Sequence, residues 1–211
     1  PMSWTAAIDT VTAQADLQYC VFYSNIHSID TVINAETFGT PAIPWTNNIT
    51  SVTITGLSGG VTYNINILVL DGDGNKSAYL MRSVTTPDAT APVPGGTITI
   101  SGTTANSISL SWIMATDNAT AQASLLYKVV RSTTNDIDTV INAETNGTLV
   151  ADWTANLTSA IASSLADGTT YFFNVLVQDG NGNNSTYPVK QTNTLDTTPP
   201  TPGASGTISI G

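Results

Sequence analysis

Six aspartates carry the clearest chemical suggestion in this 211-residue sequence. Asp117 stands in the run ATDNAT, Asp179 opens the run DGNGN, and Asp88 begins the proline-containing stretch DATAPVPGG. Asp9 and Asp71 occupy matching places nearer the start, and Asp73 stands two residues beyond Asp71. Ca²⁺ takes carboxylates and backbone carbonyls from flexible loops, so aspartates on loops that meet would form a cation site. The competing reading is turn chemistry, because Asp-Gly and Asn-Gly hairpins form with no metal. These runs also lack the acidic residue that closes an EF-hand loop.

Other reactive residue types are sparse. Cys20 and His27 are the sole residues of their kinds. A Cys and His pair is a nucleophile and base only when the two converge. Cys20 sits between Tyr19 and Val21 in a strand-like run and is expected to point outward as an exposed thiol, with His27 past the end of that run. Glu36 and Glu144 are the sole glutamates. A glycosidase needs two carboxylates within about 10 Å of each other, whereas these two are expected one domain length apart, on solvated helices. Trp45 of PWT and Trp153 of DWT offer either a sugar-stacking surface or a cover for a sheet edge and helix. No nucleophile elbow, P-loop or clustered metal motif occurs, so no catalytic residues are assigned.

Composition narrows the partners. Charged residues are 9% of the chain, with 15 acids against five bases and a net charge of -10. The five bases are scattered, which excludes a basic patch for nucleic acid or anionic lipid. There is no apolar run of membrane-spanning length, so no membrane insertion is expected. A single cysteine allows no internal disulfide, which does not argue against an extracellular setting. Seven Asn-x-Ser/Thr triplets begin at Asn48, Asn75, Asn118, Asn146, Asn156, Asn183 and Asn184, a number expected by chance in a chain this rich in Asn, Ser and Thr.

The elements that must position these residues repeat. SIDTVINAETFGT, from Ser28, returns as DIDTVINAETNGT, from Asp136, an offset of 108 residues. The offset holds without a gap from Trp4 and Trp112 to Tyr79 and Tyr187, the signature of a tandem array. His27 and Cys20 correspond to Asn135 and Lys128, so the fold requires neither. Period-two alternation places Ile108, Leu110 and Trp112 on one strand face, and Tyr171, Phe173, Val175 and Val177 on another. Tyr63, Ile65, Ile67 and Val69 do the same in the first repeat. Short alternating runs between Gly, Asn and Asp turns predict a two-sheet sandwich. In DIDTVINAE, the spacing of Ile137, Val140 and Ile141 predicts a short helix capped by Asp136.

A Trp on the second strand, LQYCVFYS or LLYKVVRS as the third, and Leu57 or Leu165 six residues before Tyr63 or Tyr171 together resemble fibronectin type III domains. The Leu-to-Tyr element resembles that family's tyrosine corner, and DATAPVPGG and DTTPPTPG resemble its linkers. The ATDNAT loop and the helical insertion resemble bacterial secreted members. The resemblance implies an all-β fold, tandem Greek-key sandwiches each with a short helical insertion after the third strand, in a modular extracellular or cell-surface protein. It also implies that the loops bearing Asp117 and Asp179 share one end with the linker bearing Asp88, giving junctional calcium; Asp9, Asp71 and Asp73 would repeat the arrangement with a linker aspartate from outside. It names no ligand.

The repeat divides the chain into residues 1–87, a unit without its first strand; 88–195, a complete unit; and 196–211, a linker with the first strand of a following unit. GTISIG, from Gly206, matches GTITIS, from Gly96. Two arrangements follow. The chain is a window on a longer array, or its terminal strand, Gly206, Thr207, Ile208, Ser209 and Ile210, completes the next copy's first unit. The expected function is a non-catalytic structural module, a stalk, sheath or filament subunit whose partner is itself. The alternative is a carbohydrate-binding or spacer module of a secreted glycan-degrading enzyme.

Overall fold

The computed structural model describes residues 1–203. The strand-donation residues Gly206 to Ile210 lie outside them. The chain divides into two compact units, Pro1–Ala89 and a second beginning at Thr90. Among the described residues no helix is long and apolar enough to cross a membrane.

Unit 1 contains β1 (Met2–Ser3), β2 (Gln18–Ser24), helix α1 (Val32–Phe38), β3 (Thr40–Asn47), β4 (Ser51–Val52), β5 (Thr62–Leu70), β6 (Lys76–Ala78) and β7 (Arg82–Thr85). One sheet has the order β3-β2-β5-β6, with β7 also on β5, and β1 pairs with β4 in the other. Unit 2 contains β8 (Thr99–Thr103), β9 (Ile108–Ser111), β10 (Leu126–Ser132), helix α2 (Val140–Asn146), β11 (Thr148–Ala155), β12 (Ser159–Ala162), β13 (Thr170–Gln178), β14 (Asn184–Thr186) and β15 (Lys190–Asn193). Its sheets run β12-β9-β8 and β11-β10-β13-β14, with β15 on β13. All pairings are antiparallel.

Alternation builds the inter-sheet core. Ile108 and Leu110 of β9, Tyr127 and Val129 of β10, and Tyr171, Phe173, Val175 and Val177 of β13 point inward with Trp112 and are buried. The tyrosine corner closes each unit: the Tyr171 hydroxyl accepts from the Ala166 amide at 2.9 Å, and Tyr63 accepts from Ser58 at 3.1 Å. Pro41 and Pro44 sit in β3, an edge strand, where a missing amide donor breaks no ladder.

The outer face of the larger sheet is covered as well. Cys20, Phe22 and Leu68 pack with Ile29 and Ala35 beneath α1, and Val130 and Leu176 pack with Ile137 and Ala143 beneath α2. A buried amide fixes the approach to each helix: Asn66 Nδ2 donates to the Ile29 carbonyl at 2.6 Å, and Asn174 Nδ2 to the Ile137 carbonyl at 2.5 Å.

Two expectations are corrected by this layer. Cys20 is 2% exposed and its thiol donates to the Ile43 carbonyl at 3.1 Å, because the helix turns the sheet's outward face into a second core. Burial first, and then Glu36, push the thiol up to about 11, with Lys76 opposing. The helix cap is Thr139 rather than Asp136: its extended backbone lets Oγ1 accept from the Asn142 amide at 3.1 Å, as Thr31 does from Asn34. Ile137 is therefore buried ahead of the helix, while Ile141 on it is 77% exposed.

Candidate functional sites on the aspartate loops and the helical face

The loop between β9 and β10 is held by Asp117, whose Oδ2 accepts from the Ala119 and Thr120 amides at 2.9 and 2.7 Å. Asp9 does the same in unit 1, accepting from Val11 and Thr12 at 2.8 and 2.7 Å. The hairpin after β13 winds around Asp179: Oδ1 accepts from the Asn181 and Asn183 amides, each at 2.8 Å, and Oδ2 from Asn183 Nδ2 at 2.7 Å. Asp71 organises the matching hairpin through the Asp73 and Asn75 amides and Asn75 Nδ2. A threonine joins the two loops in each unit, with Thr120 Oγ1 accepting from the Gly180 amide at 3.0 Å and Thr12 Oγ1 from Gly72 at 3.1 Å.

Turn chemistry therefore accounts for most of these oxygens, and it sets their acidity. Amides of Thr12 and Val11 hold the Asp9 carboxyl below the usual range. The side chain and amide of Asn75 do so for Asp71. At Asp179 burial pushes upward, and the bonds from Asn183 and Asn181 outweigh it. One oxygen is left over in unit 2: Asp117 Oδ1 is shielded from solvent and accepts no hydrogen bond. Carboxylate oxygens of Asp117 and Asp179 lie within 4.8 Å of each other. Two carboxylates at that spacing, with one oxygen of Asp117 free of donors, suit a shared cation. Asp73 is exposed, and Asp88, the last residue but one of unit 1, is buried close to Gly59.

The helical face carries the second cluster. Lys76 pairs with Glu36 and lies 5.5 Å from the centroid of the Trp45 ring. In unit 2, Lys128 pairs with Glu144 at 2.6 Å and lies 5.9 Å from the Trp153 ring. Both indoles are half-buried against the helix-side core, with a cation already over each face. The repeat offset aligns Glu36 with Glu144 and Trp45 with Trp153, but Lys76 with Asn184 and Cys20 with Lys128. Each unit thus takes its lysine from a different strand. Comparison of the two repeats would have exposed this exchange, whereas nothing local marked Asn66 and Asn174 as buried anchors.

His27 is exposed and its ring packs 4.9 Å from that of Phe38, while Cys20 is enclosed beneath α1.

A two-sheet Greek-key sandwich closed by a Leu-to-Tyr corner defines the fibronectin type III class of β-sandwich. No family model matches the sequence. Curated relatives include Exoglucanase B of Cellulomonas fimi, 33% identical over 74% of this chain, and Chitinase A1 of Niallia circulans, 31% identical over 64% of it. The chain spans only 13% and 17% of the lengths of these two proteins. Among solved structures, the FN1–FN3 domains of chicken CNTN1 align with 92% of this chain and 61% of that one, at 15% identity and a TM-score of 0.43. Each unit of the chain has the fibronectin type III-like sandwich fold.

Proposed function

We propose that the chain is a non-catalytic spacer segment of a secreted bacterial enzyme that acts on an insoluble polysaccharide. The observation that carries this reading is the recurrence of exoglucanases and chitinases among the relatives, each matched over a small part of its length: 13% and 14% for the two exoglucanases, 17% and 20% for the two chitinases. A chain with only 9% charged residues, folded into two units that each have their own core, suits a segment that separates working domains outside the cell. Carbohydrate contact through Trp45 and Trp153 is the weaker part of the proposal, since a lysine lies over each ring. The test is the full-length protein with and without this segment, assayed on soluble and on crystalline cellulose and chitin. The expected result is unchanged turnover of soluble substrate and a several-fold loss on the crystalline one. A full-length protein made of further repeats alone, with no hydrolysis in either form, overturns it.

A second reading, a repeat array or self-associating filament subunit with surface or adhesive roles, is favoured by the tandem repetition itself. Electron microscopy of native material separates the two.

We also propose that Ca²⁺ binds Asp117 and Asp179 in unit 2, with the sequence offering Asp88 as a further carboxylate. The support is twofold: Asp117 Oδ1 is shielded and free of donors, and carboxylate oxygens of Asp117 and Asp179 lie within 4.8 Å of each other. Asp9, Asp71 and Asp73 would bind the same ion more weakly in unit 1, where Asp9 Oδ2 takes the same two amide bonds as Asp117 Oδ2 but, among the described residues, no Asp9 oxygen is both shielded and free of donors.

A further inference from the structure

The number of Asn-x-Ser/Thr triplets carries no information, but the fold treats the seven of them differently. In five the asparagine is engaged. Asn75 Nδ2 donates to the Asp71 carboxylate at 2.8 Å and Asn183 Nδ2 to that of Asp179 at 2.7 Å, inside the hairpins those aspartates organise. Asn146 Nδ2 donates to the Asp136 carbonyl at 2.9 Å, and Asn184 Nδ2 to the Gly182 carbonyl at 3.1 Å. Asn118 has a partner as well.

Asn48 and Asn156 are different. They hold the same place in the repeat, in the turn from β3 to β4 and in that from β11 to β12. Both are exposed, and both have left-handed backbones, with φ of 53° and 58°. Their amides donate to the Leu17 and Leu125 carbonyls at 2.9 and 3.1 Å, so the main chain fixes each turn. Among the described residues neither side chain makes a hydrogen bond. The next residue, Ile49 or Leu157, packs on the inter-sheet core, and the one after, Thr50 or Thr158, is exposed again. The Thr50 and Thr158 carbonyls accept from the Trp4 and Trp112 amides, each at 3.0 Å, whereas among the described residues their hydroxyls bond to nothing. Asparagine suits a left-handed turn on backbone grounds. The hydroxyl two residues on has no such task in the fold.

We propose that Asn48 and Asn156 are N-glycan attachment sites, loaded by a membrane transferase from a polyprenyl-diphosphate oligosaccharide. In the transfer Nδ2 bonds to C1 of the first sugar as the bond from C1 to the diphosphate oxygen breaks. The diphosphate leaves with the bonding pair, and the amide gives one proton to the transferase. The triplet is the acceptor for this chemistry in exported chains, and its product is bulky. A turn tip whose main chain already holds its shape carries that bulk without loss, whereas at Asn75, Asn146, Asn183 and Asn184 the sugar would crowd the acceptor bonded there. The inference needs export of the chain but not its role as a spacer. Glycosylated native material that hydrolyses nothing would keep the one and remove the other.

The test is peptide mapping by mass spectrometry on the protein from its native source, cut with a protease that cleaves at aromatic residues. The expected result is saccharide mass increments, with sugar fragment ions, on the peptides bearing Asn48 and Asn156, and none on those bearing Asn75, Asn146, Asn183 and Asn184. Co-production with such a transferase and its lipid-linked donor then tests the hydroxyls. Thr50→Ala should abolish the increment at Asn48 and Thr158→Ala that at Asn156, each leaving the other site loaded and the thermal unfolding midpoint unmoved. Native material with both turn tips unmodified overturns the inference, as does saccharide spread equally over the engaged asparagines. Increments that survive both threonine variants also overturn it, since the sugar would then be attached by another chemistry.

Discussion

The two repeats solve one packing problem with different residues, and the contrast separates what the fold demands from what it tolerates. On the helical face the glutamate and tryptophan keep their places, while the lysine moves from Lys76 on β6 to Lys128 on β10. The demand is for a cation between a carboxylate and an aromatic face; its strand of origin is free. In the inter-sheet core the contrast is one of completeness. Phe173 is fully enclosed, whereas its counterpart Ile65 borders an open apolar groove.

The largest expected effect probes that second contrast. Phe173→Ala should cost about 3–5 kcal/mol, the range for emptying an enclosed aromatic site. Ile65→Ala should cost roughly 1 kcal/mol, because much of the area it would lose is already in contact with water. Chemical denaturation followed by tryptophan fluorescence, with Trp112 and Trp153 reporting unit 2 and Trp4 and Trp45 unit 1, reads both. Equal losses would mean that the groove of unit 1 is closed in solution.

Much of this was legible from the residues. Period-two runs fixed which side chains of β5, β9 and β13 face the core, and the 108-residue offset exposed the repeat. The loop aspartates were legible as a set because hairpin chemistry is local. The second core was not. Alternation implies that every other residue of a strand meets water, so Cys20 reads as exposed until α1 covers it, as α2 covers Val130 in unit 2. The helix start was misplaced for a related reason: Asp136 and Thr139 are both good caps, and the burial of Ile137, decided by tertiary packing, selects between them.

Calcium should give the next largest effect, and it sharpens the comparison at the loops. Extracellular modules hold the ion at about 0.1–1 mM, so roughly 10 mM Ca²⁺ should stabilise unit 2 by about 1.4–2.7 kcal/mol. EDTA should reverse the shift, and Asp117→Asn should abolish it. The gain in unit 1 should be smaller, since among the described residues its Asp9 has no shielded, donor-free oxygen. The effect also has a sign in pH. The Asp179 carboxyl is held below its ordinary value, so its contribution is present above the unfolded value of about 4 and is lost as pH falls through the lowered one. Protonation removes the ligand at the same time, so calcium stabilisation should vanish in acid. Equal shifts in both units would show that the Asp117 oxygen has no special part.

The smallest effect tests the exchanged lysine directly. Lys128→Cys places the unit 1 residue in unit 2 and strips Glu144 and Trp153 of their cation. These side chains are partly exposed, with Lys128 at 17% and Glu144 at 39%, so the cost should be roughly 0.5–1 kcal/mol, near the upper end for surface pairs. Adding Asn184→Lys recreates the strand assignment of unit 1 and should return most of that loss. Asn184→Lys alone should gain little, because the carboxylate already has a partner. The coupling energy from this double-mutant cycle, measured by denaturation in low and high salt, is the quantity of interest. If the second lysine restores nothing, the two units do not share one requirement for a cation. If it restores stability at low salt and loses the gain at high salt, attraction to Glu144 dominates; a gain that survives salt assigns it to contact with the indole.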